Sequence, residues 1–123
     1  MKYIILIHSN PRSRQVFDDM TDDQRHQFAR DHRDFGQTLI DTGELIYSEG
    51  LVPGDQATWV TIHNGDILAT DGPYAETKEY VAGFYVIECP DVQRAIEHAA
   101  RLPEAAYTQV EVRPVFNMAS IGL

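Results

Sequence analysis

A chain of 123 residues with 43% hydrophobic content suits one globular domain, residues 1–123, with a real core and no room for a second. Ten Lys and Arg against nineteen Asp and Glu leave a net charge of −9, which repels a phosphate backbone or an anionic bilayer, so neither nucleic acid nor membrane is an expected partner. The lone Cys89 cannot close an internal disulfide, no apolar run approaches the ~20 residues of a membrane span, and no signal-peptide pattern is present, so the expected compartment is the cytoplasm.

Lys2 to His8 is apolar on both faces, the pattern of a central strand. Asn10 to Gln15, with Pro11, reads as a loop. Thr21 and Gln24 have capping-box spacing, so a helix starts there and runs to about Thr42, with Gly43 placed to end it in the left-handed conformation. Phe28, His32, Phe35 and Leu39 fall on one stripe of that helix, edged by Ala29, Gly36 and Ile40, which puts His32 in the middle of its buried face.

Glu44 to Leu51 reads as a second strand. Ala57 to His63 and Asp66 to Thr70 flank Asn64-Gly65, the pair best suited to a type I′ turn, and form a hairpin. Only one of its faces is consistently β-branched, so it is expected as a peripheral insertion, a lid or an extension of a dimer contact. Tyr80 to Cys89 is a strand in which Gly83 permits close approach of a neighbouring backbone. Asp91 caps a second helix to Arg101, with Val92, Ala95, Ile96 and Ala99 as its apolar stripe; Pro103 stops it, and Thr108 to Val115 is the last strand. Without the hairpin the order is βαββαβ, the α+β ferredoxin-like pattern.

The most distinctive stretch is Asp71-Gly72-Pro73-Tyr74-Ala75-Glu76-Thr77-Lys78-Glu79, where a glycine and a fixed proline hold a turn that leads into a short helical composition. With Gly83-Phe84-Tyr85 and the closing Val110-Glu111-Val112-Arg113-Pro114-Val115, this run resembles the DGPF subgroup of YCII-related proteins. Tyr74 stands where that motif usually has Phe. The resemblance spans nearly the whole chain and implies a ferredoxin-like protomer that dimerises into an α/β barrel. The strand itself also asks for a partner: Tyr3, Ile5 and Ile7 point to one side and Ile4 and Leu6 to the other, and two helices cover only one face, so a homodimer with facing sheets is expected.

A buried histidine is more often a packed core residue than a catalytic one. His32, with Phe35, Gly43 and the strand end Glu49-Gly50-Leu51, resembles YCII-related members in which a His and an Asp share a cleft. Asp71 alone is a common turn residue; beside His32 it would orient the imidazole and stabilise its charged form. His32 and Asp71 are therefore the catalytic candidates. Tyr74, Tyr85 and Tyr47 are candidates for lining a substrate pocket or for simple packing, and Arg12, with Arg14, for receiving an anionic group or lying in solvent.

His8, His26, His63 and Asp34 lack metal-ligand spacing and Cys89 has no basic neighbour in sequence, so neither a metal, another cofactor nor a catalytic thiol is expected. Two functions stand side by side. One is a cofactor-free small-molecule enzyme of isomerase, lyase or hydrolase type working by acid/base chemistry. The other is a ligand-binding or regulatory module acting through a protein partner such as a sigma factor.

Overall fold

The structure is a computed structural model and describes residues 1–71 and 79–122. In chain order its elements are β1 (Lys2–Ser9), α1 (Pro11–Asp18), α2 (Asp22–Asp41), β2 (Leu45–Gly50), β3 (Thr58–His63), β4 (Asp66–Asp71), β5 (Tyr80–Glu88), α3 (Val92–Ala100) and β6 (Val110–Pro114), with short 3-10 turns at Gly54–Gln56, Pro103–Ala106 and Met118–Ile121. It is a mixed α+β chain with two antiparallel sheets.

The main sheet runs β2-β5-β1-β6, so β1 is central as its two-sided apolarity requires. Tyr3, Ile5 and Ile7 point to the covered side and meet Phe35 and Leu39 of α2, Tyr85 and Ile87 of β5, and Ala95 and Ala99 of α3 in one core. Ile4 and Leu6, aligned with Val86 and Phe84, form the other face and are only half-buried. Gly83 is needed where β2 and β5 close on each other, because a Cβ there would sit 3.1 Å from the Glu49 carbonyl oxygen.

Local chemistry sets the helix ends. Thr21 accepts from the Gln24 backbone at 3.2 Å and Gln24 answers to the Thr21 amide at 2.9 Å, the reciprocal capping box read from sequence. The helix ends at Gly43 with φ 75°. The stretch expected as a loop, Asn10 to Gln15, is instead the first half of α1. Asn10 accepts from Ser13 N–H at 2.9 Å, Ser13 Oγ accepts from the Asn10 amide at 2.9 Å, and Pro11 fills the first helical position, where its missing N–H costs nothing.

The hairpin β3–β4 forms a separate two-stranded sheet, as expected of an insertion. Its turn residues Asn64 and Gly65 have φ of 50° and 83°, the positive pair that a type I′ connection demands. On α3 the expected apolar stripe holds only in part. Ala95 and Ala99 are buried, Val92 and Ile96 stay exposed, and the third inward position belongs to His98. No helix among the described residues is long and apolar enough to cross a membrane.

Candidate active site

At one end of the main sheet, α1, α2, the end of β2, the start of β5 and the turn Pro103–Ala106 enclose a cavity of about 560 Å³. Phe17, Phe28 and Tyr80 give it aromatic walls; Ser9, Ser13 and Thr108 add hydroxyls, and Arg14 and Glu49 add charge. The walls are tied together by rings in contact: Phe17 meets Phe28 edge-on at 5.5 Å, Phe28 lies 4.8 Å from His32, and Tyr85 packs on Phe35 at 4.8 Å. Arg25 fixes the α1–α2 corner by donating to the carbonyls of Phe17 and Asp18 at 3.4 and 3.0 Å, with its guanidinium 5.1 Å from the Phe17 ring.

His32 is the centre of the polar cluster. Its Nε2 lies 2.7 and 2.8 Å from the two carboxylate oxygens of Glu104, and its Nδ1 lies 2.8 Å from the Tyr85 hydroxyl. A carboxylate only accepts, so Nε2 carries a proton and donates. Burial, reinforced by the negative charge of Glu104, pushes the Tyr85 phenol up to about 12, so it keeps its proton and its hydroxyl is able either to donate to Nδ1 or to accept from it. The result is a continuous hydrogen-bonded chain from Tyr85 through the His32 imidazole to Glu104. Tyr107 shares the environment, its phenol also pushed up to about 12 by burial and by Glu104. Tyr85, His32, Glu104 and Tyr107 all line the cavity.

The expected pairing of His32 with Asp71 is not made. Both ring nitrogens are engaged by Tyr85 and Glu104, whereas Asp71 is an exposed residue at the end of β4, opposite Thr58, outside the described cavity lining. Glu104 takes the place foreseen for Asp71. Tyr85 lines the cavity and bonds His32. Tyr47 is outside the described lining: it is 55% exposed on the edge strand, its ring 6.0 Å from that of Phe84 on the open side of the sheet. Arg12 is exposed and absent from the described lining; Arg14, one helical turn's fraction further, faces the cavity and pairs with Asp18 at 3.2 Å. Tyr74 and the rest of the run 72–78 lie outside the described residues.

Glu104 carried no sequence signal. It follows the helix-stopping Pro103 in a four-residue turn, where an acid reads as ordinary surface, and only the fold brings it to a histidine 72 positions earlier. Among the described residues no group of three His, Cys, Asp or Glu converges as a metal ligand set. Burial pushes the Cys89 thiol up, away from reactive thiolate.

A second histidine network joins the C-terminal end of α2 to α3. Glu44, buried just after the helix, accepts from Arg94 Nε and Nη2 at 3.2 and 2.9 Å, and from His98 Nε2 at 3.0 Å. Arg101 donates to His98 Nδ1 at 3.0 Å. His98 is 2% exposed and does not line the cavity.

The described residues define the protein as a mixed α+β fold with antiparallel sheets, carrying a cavity lined by Tyr85, His32 and Glu104. The match to the YCII-related domain over residues 1–119 assigns the family: the chain is a YCII-related protein. It is also similar to the uncharacterized protein R00369 of Rhizobium meliloti (strain 1021), with 29% identity over 117 residues, covering 94% of this chain and 92% of that one.

Proposed function

We propose that the protein is a cofactor-free small-molecule enzyme that moves protons through Tyr85, His32 and Glu104. The observation that carries this reading is that both His32 nitrogens are occupied while the chain ends on the hydroxyl of Tyr85, a residue that lines a 560 Å³ cavity. A ligand proton is received at Tyr85 Oη as the Tyr85 proton passes to His32 Nδ1, and Glu104 stabilises the imidazolium that forms. The base is the imidazole, acting one hydrogen bond away from the substrate. In reverse the same chain delivers a proton. Isomerisation and elimination both need such a group beside an activated C–H or O–H bond. Aromatic walls and scattered hydroxyls suit a compact, partly unsaturated molecule with an enolisable or hydroxyl group.

The run DGPYAETKE supports placing the chain in the DGPF subgroup, and the order β2-β5-β1-β6 supports the ferredoxin-like reading. The half-buried open face of Ile4, Leu6, Phe84 and Val86 supports a homodimer with facing sheets, an α/β barrel. A cytoplasmic location is part of the same proposal.

The test is a thermal-shift screen of small phenols and enolisable carbonyl compounds, followed by proton-exchange NMR on any that bind. The expected outcome is solvent exchange or turnover of a bound compound that Tyr85→Phe and His32→Gln abolish while binding survives. Binding without exchange in the native protein, or exchange unaffected by either substitution, overturns the enzyme reading in favour of a ligand-binding module.

A further inference from the structure

Tyr107 lines the cavity beside Glu104 but takes no part in the hydrogen-bonded chain from Tyr85 to Glu104. Its place is set by the backbone. Tyr107 N–H donates to the Glu104 carbonyl at 3.1 Å and Thr108 N–H to the same oxygen at 2.9 Å, while the Thr108 hydroxyl donates to the His8 carbonyl at 2.9 Å. The residue is thereby clamped between the 3-10 turn Pro103–Ala106 and the end of β1. Other hydroxyls of the lining are already engaged: Ser9 and Ser13 share a hydrogen bond at 3.0 Å, Thr108 bonds the backbone and Tyr85 bonds His32. The half-buried Tyr107 makes no side-chain hydrogen bond among the described residues. Burial and the charge of Glu104 push its phenol up to about 12, as they do that of Tyr85, so at neutral pH it keeps its proton. The cavity therefore holds two neutral phenols under the influence of one carboxylate, one wired to a base and one with a proton to offer.

We infer that the Tyr107 hydroxyl donates a hydrogen bond to a carbonyl oxygen of the ligand, so that the cavity takes enolisable carbonyl compounds, with the acidic C–H at Tyr85 and the oxygen at Tyr107. This rests on the proton chain proposed above and adds the group that receives the developing charge. As the C–H proton passes to Tyr85 Oη and the Tyr85 proton to His32 Nδ1, the C–H electron pair becomes the enolate C=C bond and the carbonyl π pair moves onto oxygen. That oxygen needs a donor where its charge appears, and a neutral phenol held by its own backbone supplies one without reorganising. Charge balance favours the arrangement. The imidazolium formed at His32 offsets the Glu104 carboxylate 2.7 Å away, so the enolate faces a neutral pair and not a bare anion. Return of the proton to a different carbon completes an isomerisation with no co-reactant.

The probe is para-nitrophenol, whose phenolate copies an enolate and absorbs apart from the neutral phenol; nitrobenzene, the same ring without the hydroxyl, is the control. In buffer about one unit below the ionisation of free para-nitrophenol, where about a tenth is ionised in water, the native protein is expected to bind it with the phenolate band developed. Tyr107→Phe keeps the aromatic wall and is expected to weaken that binding about tenfold or more and to diminish the band, with nitrobenzene affinity and thermal unfolding unchanged. A variant that matches the native protein in affinity and band overturns the inference, as does a native protein that binds para-nitrophenol no better than nitrobenzene. Solvent exchange of the acetophenone methyl protons, followed by NMR, separates this inference from the reading it rests on. Exchange that Tyr107→Phe leaves at the native rate upholds the proton chain and overturns the donor. A phenolate band lost in Tyr107→Phe, with no exchange by the native protein, upholds the donor and overturns the enzyme reading.

Discussion

Replacing Glu44 by Gln keeps the shape of the side chain and one acceptor oxygen but removes the charge shared by Arg94 and His98. The Arg94 hydrogen bonds do most to bring the Glu44 carboxyl down to about 2 from its ordinary 4.5, against burial, with help from His98 and Thr42. That fall, at 1.36 kcal/mol per pH unit, corresponds to about 3 kcal/mol of linked stability. Arg94 keeps 42% of its side chain exposed, so water screens part of that and the figure is an upper bound. The folded state holds this proton more weakly than the unfolded chain does. The contribution is therefore fully present above about pH 5 and is lost as pH falls from 4.5 toward 2. Urea unfolding of wild type and Glu44→Gln, paired at each pH, cancels the other carboxylates that titrate in both. The expected gap is about 2 to 3 kcal/mol at pH 7, closing to under about 1 kcal/mol near pH 2.5. A gap of the same size at both pH values would refute the reasoning, because the loss would then come from packing and not from charge.

Leu39, fully buried between α2 and the sheet, is expected to cost about 2 to 5 kcal/mol as Leu39→Ala in urea denaturation. Glu104→Gln removes the charge that helps raise Tyr85 and Tyr107, so ultraviolet titration of the tyrosines should show two phenols ionising at lower pH than the wild-type value of about 12, yet still above 10 because burial remains the larger cause. Gly54→Ala would place a Cβ 2.9 Å from Tyr80 Cβ at the cavity wall, and is expected to destabilise by about 1 to 3 kcal/mol in thermal unfolding and to weaken any cavity ligand. His98→Gln should lower stability while leaving cavity binding and proton exchange intact, the reverse of the pattern expected for Tyr85→Phe; calorimetry and exchange NMR on the same samples separate the two.

Much of the fold could be read because its signals are local. The capping box at Thr21 and Gln24, the Asn64-Gly65 turn and the apolarity of β1 each state their conformation within a few residues. The helix α1 obeys the same grammar but was masked by Pro11, which serves as a loop residue in most contexts and as a helix start only when Asn10 and Ser13 cap it. On α3, period alone put Val92 and Ile96 inside. It could not anticipate that a histidine would be taken instead, because that choice depends on Glu44 waiting after another helix. The site was half legible for the same reason. His32 lay on a readable stripe, and Tyr85 on a readable strand, but the carboxylate of Glu104, inside the 3-10 turn after α3, had no periodicity to announce it, and the acid chosen in its place, Asp71, belongs to a ribbon outside the main sheet.

His32 and His98 each contact a glutamate, yet their hydrogen-bond wiring differs in a way that bears on the proposed proton-carrier role of His32. Both donate Nε2–H to a glutamate. They differ at Nδ1. In His98 that nitrogen is closed by Arg101, a group that only donates and stays charged at any ordinary pH, so the imidazole has nowhere to send or collect a proton and serves to hold α3 against the start of β2. In His32 it is closed by a hydroxyl that both donates and accepts, and whose residue lines a cavity. A hydroxyl can pass on what it receives; a guanidinium cannot. The side chain of His32 also keeps 22% of its surface accessible, against 2% for His98, so reorganisation of solvent or ligand around the first costs far less than around the second. A structural role alone would be met by either wiring, whereas proton transfer to a bound molecule is open only to the one that ends in Tyr85.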